Sequence, residues 1–258
     1  MIKENTPLRV IIHKEVNPAW SLALDDTLTS SCCDYNGAIL HIMTYYPYAI
    51  VLGERQVKKD FDIEALHNDG YMLVRRHTGG SGVLFGKGDI GYHLAINKQC
   101  FSVDIKKYIN VLCFINNLIV QAFSNLGISS EQASFAPHLK CRSSDCFSLS
   151  DKCELKVSSG RKIHGSAFKN IGPVYIQQGA IPVSKSYINF NKYIVNKQVD
   201  TNLNGPISIE EHIGYVATDA VINSIVEVLS TVFKVEYSKL TEKEKDMVIT
   251  TGNKFEVL

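Results

Sequence analysis

The sequence predicts an α/β protein, and three observations carry that prediction. Short apolar runs of strand length recur along the chain, at residues 8–13, 39–43, 49–52, 71–74, 90–96 and 174–181. Longer segments with helical spacing of apolar residues lie between them, at 18–32, 103–126 and 217–232. The composition is 45% hydrophobic and 21% charged, as for a globular protein able to bury a sizeable core.

The elements follow in order. Residues 8–13 form a first strand. The helix over 18–32 starts on Asn17, whose side chain suits an N-cap, and places Pro18 at its first position, where the missing N–H costs nothing. Its apolar positions include Trp20, Leu22, Leu24 and Leu28, while Asp25 and Asp26 are either functional or part of a solvated face. Strands at 39–43 and 49–52 flank Tyr45-Tyr46-Pro47, and Gly53-Glu54-Arg55-Gln56 follows as a loop. A short helix at 61–67 leads to a strand at 71–75. The helix over 103–126 is rich in Ile, Val, Leu and Phe and is expected to be core. Residues 129–152 show little periodicity and read as a loop of a length that usually serves function. Residues 154–157 and 162–168 form a hairpin across Ser158-Ser159-Gly160, and 174–181 is a return strand. Helices at 208–212 and 217–232, a strand at 232–237 and a helix at 240–248 complete the chain, which is expected to be one domain over 1–258, since the about 25 residues beyond Val232 are too few for a separate one.

Charge and targeting exclude several classes. Twenty-seven basic and 26 acidic residues leave a net charge of +1, so no field for nucleic acid or an anionic membrane is expected. No apolar run approaches the roughly 20 residues of a membrane span. The first residues lack a signal-peptide core, so the expected compartment is the cytoplasm. The seven cysteines include no Cys-x-x-Cys, and a disulfide framework is not expected; Cys113, inside the long helix, reads as a core thiol.

The stretch from Val74 to Asn97 is the most informative. Five glycines fall between Gly79 and Gly88, directly after Arg75 and Arg76. Glycines permit tight turns and close approach of backbone N–H groups to a ligand, and arginine offers planar donors for a carboxylate or phosphate. Neither nucleotide motif fits. A phosphate-binding P-loop would need Gly at position 81, where Ser81 stands, and Ser or Thr after Lys87, where Gly88 stands; the dinucleotide fingerprint meets Phe85 at its last glycine.

The string Arg75-Arg76-His77-Thr78-Gly79-Gly80 followed by an apolar strand resembles the signature loop of the lipoate–protein ligase and octanoyltransferase family, relatives of biotin–protein ligase. A second segment, Gly160-Arg161-Lys162-Ile163-His164-Gly165-Ser166-Ala167, is similar to that family's second motif. The resemblance covers roughly residues 10–235. It implies a mainly antiparallel sheet flanked by helices. It also implies that Lys162 holds the acyl carbonyl, or an adenylate phosphate, where an ammonium stabilises developing negative charge. Asp145-Cys146-Phe147 resembles the loop of the cysteine-dependent octanoyltransferases. In that case Cys146 is the nucleophile, its thiol activated by the charge of Lys162 or by His138 or His164 as base. Arg75, Thr78, Gly79, Gly80 and Gly82 would shape the donor site, with Arg76, His77, Tyr92 and Gly165 as further candidates. The chain departs from the family where His is usual and Phe85 stands.

The resemblance thus implies an acyltransferase without cofactor. It would take octanoyl from acyl carrier protein, or lipoyl from a carrier protein, and deliver it to a lysine of a lipoyl domain or of the glycine-cleavage H protein. The alternatives are an ATP- and Mg-dependent lipoate ligase, which would not use Cys146, and a non-catalytic acyl-binding relative. A zinc site on His138, Cys141, Cys146 and Cys153 is a competing reading of the loop.

Overall fold

A computed structural model describes residues 2–102, 108–133, 153–184, 190–195, 206–251 and 255. A large twisted sheet of eight strands divides the molecule. Its order is β11 (Lys234–Tyr237), β1 (Pro7–Val16), β2 (Ala38–Tyr45), β6 (Ile90–Asn97), β10 (Val174–Ile181), β9 (Lys162–Ile171), β8 (Leu155–Lys156) and β7 (Glu131–Gln132). The β1–β2 and β1–β11 pairs are parallel, and the rest are antiparallel. A second sheet of three strands, β4 (Met72–Arg75), β3 (Ala49–Leu52) and β5 (Val83–Phe85), packs beside it with β3–β4 parallel. The expected mixed fold with a mainly antiparallel sheet flanked by helices is therefore observed, with three parallel pairings that periodicity could not reveal.

Alternation along the strands sends side chains to two different cores. On β6, Ile90, Tyr92, Leu94 and Ile96 join the core beneath α3 (Tyr108–Asn125) and α5 (Thr218–Ser230). Ala95 and the neighbouring Ile39 and Met43 of β2 face α1 (Pro18–Asp34) instead. A third cluster, built on Ile50, Leu52, Leu73 and Tyr193, backs the small sheet with α2 (Ile63–Asn68). Two more helices, α4 (Ile209–Ile213) and α6 (Glu242–Thr251), complete the set, and α6 packs on α1.

Local chemistry explains the element ends. Asn17 accepts from the Trp20 N–H at 3.1 Å with Pro18 at the helix start, as expected. Asp62 caps α2 through the Ala65 N–H, and Ser208 caps α4 through the Glu211 N–H. The helix expected over 103–126 is described from Tyr108 to Asn125; residues 103–107 lie outside the described residues.

Three expectations need correction. The segment 83–85 is a strand, β5, rather than loop, because its residues are buried against β3. Residues 131–132, read as loop, form the short edge strand β7. Cys113 is half-buried rather than a core thiol, and it is joined in a disulfide to Cys153, because β8 brings the two Cα atoms within 5.1 Å. Cys153 is thereby engaged outside any zinc site, and no group of three or more metal-ligating side chains is found among the described residues.

Candidate active site

The signature loop is held by its own residues. Arg76 is buried and points back into the loop: Nη1 donates to the Val51 carbonyl at 2.9 Å, Nη2 to Gly79 O at 2.7 Å and Ser81 O at 2.9 Å, and Nε to Thr78 Oγ1 at 3.0 Å. Arg75 is half-buried and braces the neighbouring turn through the carbonyls of Gly53, at 3.1 Å, and Gln56. The turn itself requires glycine. Gly80 has φ +88°, and a Cβ on Gly53 would sit 1.9 Å from the Gly80 carbonyl oxygen. Gly79 and Gly80 are exposed, Gly82 is buried, and His77 is half-exposed with Nδ1 3.3 Å from Asp26 Oδ2.

Behind the loop lies a cleft that is partly open to solvent. Leu22 and Asp25 of α1, Met43 and Tyr45 of β2, and Val51, Arg76, Val83 and Phe85 of the small sheet form its walls. Its floor is the middle of the large sheet: Gly91 and Tyr92, Gln178 to Ala180, and Gly165 to Ala167. Two glycines make room for rings. A Cβ on Gly179 would lie 2.1 Å from Tyr92 Cε1, and one on Gly91 would lie 2.7 Å from Met43 Sδ. Phe85 is buried and stands edge-on to Tyr45, with ring centroids 5.0 Å apart. The aromatic residue at the position where the family usually has His thus makes this wall apolar.

One patch of the wall is polar. Asp25 is buried: Oδ1 accepts from His41 Nδ1 at 2.9 Å, and Oδ2 accepts from Gln178 Nε2 at 2.9 Å. Thr78 donates to Gln178 Oε1 at 2.8 Å, which joins this web to the signature loop. On the other side, His41 Nε2 meets His13 Nδ1 at 3.1 Å. The hydroxyl of Thr29 donates to the Asp25 carbonyl at 2.9 Å, so its oxygen accepts from His93 Nε2 at 3.0 Å. His93 Nδ1 then turns a lone pair toward Asp25 Oδ2, 3.9 Å away, and has no hydrogen-bond partner. Burial pushes the Asp25 carboxyl up to about 6, opposed by His93 and by the hydrogen bond from Gln178. Burial holds His41 down to about 3, and burial together with the neighbouring His41 lowers His13 to about 4, so both are neutral at pH 7.

A second web lies on the opposite face of the sheet, around Lys162. This lysine is buried, not exposed on the hairpin, and its Nζ is 2.7 Å from Glu154 Oε1. Gln177 donates from Nε2 to Tyr92 Oη at 2.8 Å and to Asn116 Oδ1 at 2.7 Å; Asn116 Nδ2 donates to Cys153 O at 2.7 Å and to Ser166 Oγ at 3.3 Å. Tyr92 donates to His164 Nε2 at 2.9 Å. Burial, with the charge of Lys162, lowers His164 to about 3, so it is a neutral ring rather than a charged partner.

Of the residues expected to form the site, Arg76, Tyr92 and Gly165 line the cleft, and Thr78 reaches it through Gln178. Arg75, His77, Gly79, Gly80, Gly82 and Lys162 are not among its lining residues. Cys146, His138 and Cys141 lie outside the described residues. The sequence reading missed His41, His93, Gln178 and Glu154. One signal was available: Gln177-Gln178 is a pair of amides inside an otherwise apolar strand, a place where side-chain amides require partners.

Comparison with known proteins bears on the family and the fold. The family model described as the lipoyl protein ligase A/B catalytic domain matches residues 17–234. Octanoyltransferase LipM of Macrococcus caseolyticus is 31% identical over 181 residues, covering 66% of this chain and 63% of that protein. Octanoyltransferase LipM of Bacillus subtilis is 30% identical over 183 residues, covering 67% and 64%. The chain thus spans less than two thirds of the length of these relatives. Among solved structures, a bipartite lipoate protein ligase of Thermoplasma acidophilum, studied with its E2 lipoyl domain, matches with a TM-score of 0.77 at 17% identity over 97% of this chain and 93% of that one. LipL1 of P. falciparum in complex with lipoate matches with a TM-score of 0.70 at 16% identity, over 95% and 72%. These likenesses show the fold. The sequence match over 17–234 shows more: the chain belongs to the lipoyl protein ligase A/B catalytic domain family.

Proposed function

We propose that the protein is an acyltransferase of lipoate metabolism, moving an octanoyl or lipoyl group from a carrier-protein thioester to a lysine of a lipoyl domain. The observation that carries this reading is the cleft. Its walls of Leu22, Met43, Tyr45, Val51, Val83 and Phe85 suit a medium-length alkyl chain, and its floor abuts β9, the strand that begins with Lys162. The names of the relatives, octanoyltransferase, support the same chemistry. The lipoyl domain as acceptor is suggested by the archaeal ligase studied with such a domain; octanoyl–acyl carrier protein as donor and the glycine-cleavage H protein as second acceptor extend the same proposal.

In the proposed reaction Cys146 attacks the donor thioester as thiolate. A new C–S bond forms, the C–S bond to the carrier breaks, and the departing carrier thiolate takes up the proton that Cys146 released. The neutral amine of the acceptor lysine then attacks the acyl-enzyme, forming the amide and returning the cysteine thiol. Lys162 supplies the positive charge that the carbonyl oxygen needs in both steps. The loop of Arg75, Thr78, Gly79, Gly80 and Gly82, with Arg76 as its internal brace, shapes the entrance. Among the described residues no helix is long and apolar enough to cross a membrane.

The test is intact-protein mass after incubation with octanoyl–acyl carrier protein, without ATP, for wild type and Cys146→Ser. The expected result is a hydroxylamine-labile adduct on the wild type alone. No adduct on either protein, together with product formed only from free lipoate and ATP, would replace the transferase by a ligase.

A further inference from the structure

We infer that Glu154 is a positioning residue for this reaction: it holds Lys162 cationic and in place inside a dry wall of the protein. The inference rests on the proposed role of Lys162 and extends it to a residue outside both sequence motifs.

The Lys162 and Glu154 side chains are 1% and 5% exposed, with Nζ and Oε1 2.7 Å apart. A buried ion pair is an expensive way to fill space, since apolar side chains of similar volume serve stability as well or better. A lysine kept in such a place therefore has a use for its charge, and a desolvated ammonium keeps that charge only beside a fixed counter-charge.

The described neighbours His164, Tyr92, Gln177, Asn116, Lys156 and Arg161 carry no negative charge. His164, two residues on along β9, is neutral, and so is the web of Tyr92, Gln177 and Asn116. Lys156, the cross-strand neighbour of Lys162, is itself a cation and turns to Glu131 at 3.3 Å. Arg161, the preceding residue, is committed to Glu211 and the Pro206 carbonyl.

Glu154 is also fixed in space. Its carbonyl accepts from Ala133 N at 2.7 Å, and the preceding Cys153 donates its N–H to Ala133 O at 3.3 Å. The Cys153 carbonyl accepts from Asn116 of α3 at 2.7 Å, and the disulfide to Cys113 adds a covalent tie to the same helix. The carboxylate thus stands on a segment pinned to α3, and the Ile207 N–H holds the Lys162 carbonyl at 2.9 Å on the other side.

Two measurements test this on the full-length protein. The first needs no activity: the side-chain amine of Lys162 is followed by NMR of 15N,13C-lysine-labelled wild type and Glu154→Gln, with Lys162→Arg assigning the signal. The expected result is that Lys162 of Glu154→Gln loses its proton at least one pH unit below the wild type. An unchanged titration would overturn the inference. Should Glu154→Gln not fold, Glu154→Asp, which draws the charge back by one methylene, must shift the titration in the same direction by a smaller amount; no shift would overturn it. The second measurement is the rate of adduct formation on Cys146 between pH 6 and 9.5. Glu154→Gln is expected to gain an alkaline limb falling tenfold per pH unit, and Glu154→Asp to move toward the wild-type profile. A uniform loss at every pH would assign Glu154 a structural role only. A wild type that forms no adduct would refute the transferase reading, while the lysine titration would still decide the role of Glu154.

Discussion

Asp25→Asn tests the polar web of the cleft quantitatively. Asp25 is fully buried, and its carboxyl is raised from 3.8 to about 6, mainly by desolvation. The folded protein therefore binds this proton more tightly than the unfolded chain does. The stabilising contribution is complete below about pH 4 and is lost as pH rises through about 6, where the folded carboxylate must ionise in dry surroundings. A shift of about two units corresponds to roughly 3 kcal/mol at about 1.4 kcal/mol per unit. Asparagine has nearly the same shape, accepts from His41 as the carboxylate does, and cannot ionise. Its amide does face Gln178 Nε2 and requires that side chain to flip, a constant cost independent of pH. The measurement is the unfolding free energy of both proteins in urea at intervals from pH 4.5 to 8. The difference, wild type minus Asp25→Asn, is expected to fall by about 2 kcal/mol across that range, the rest of the roughly 3 kcal/mol lying below pH 4.5. Asp89, also buried and raised to about 6, is present in both proteins and cancels. A difference that stays flat within ~0.5 kcal/mol would refute the reasoning, because it would mean that the web ionises at no cost.

Four other outcomes follow from the same structure. Gly179→Ala places a Cβ 2.1 Å from Tyr92 Cε1 and is expected to cost about 1–3 kcal/mol, read as a lowered Tm. Phe85→Ala removes a buried ring from the cleft wall; it should cost about 3–5 kcal/mol and admit acyl chains longer than octanoyl, read by competition between donors in the mass assay. Thr78→Val breaks the link between Arg76 and Gln178 and leaves buried polar groups short of partners, so a loss of about 1–3 kcal/mol is expected by urea unfolding. A phosphine reductant should lower the stability of the wild type by about 4 kcal/mol, on the chain-entropy estimate for a loop of 40 residues, and leave Cys113→Ser unchanged.

Local signals were readable, and long-range partnerships were not. The start of α1 could be predicted because its capping atoms, on Asn17 and Trp20, are three residues apart. The signature loop announced itself through arginine and glycine, and Arg76, Tyr92 and Gly165 duly line the cleft. The burial of Asp25 could not be read in the same way. Its partners come from β2 and β10, 16 and 153 residues away, and a carboxylate on a helix is solvated unless such partners arrive. Lys162 presents the same difficulty in a shorter span: its counter-ion is only eight positions back, but a turn and a register shift between β8 and β9 decide whether the two meet. The Cys113–Cys153 link escaped notice because seven cysteines without a recognisable spacing carry no pairing information.

The last described residue bears on the signature loop. Arg9 holds Glu244 at 2.9 Å, which fastens α6 over α1. Phe255 then reaches the signature loop: its carbonyl accepts from Arg75 N at 3.1 Å and its ring stacks on His77 at 5.1 Å. That contact gives the signature loop a brace from outside the cleft, so a small residue in place of Phe255 would loosen the loop without touching the cleft wall.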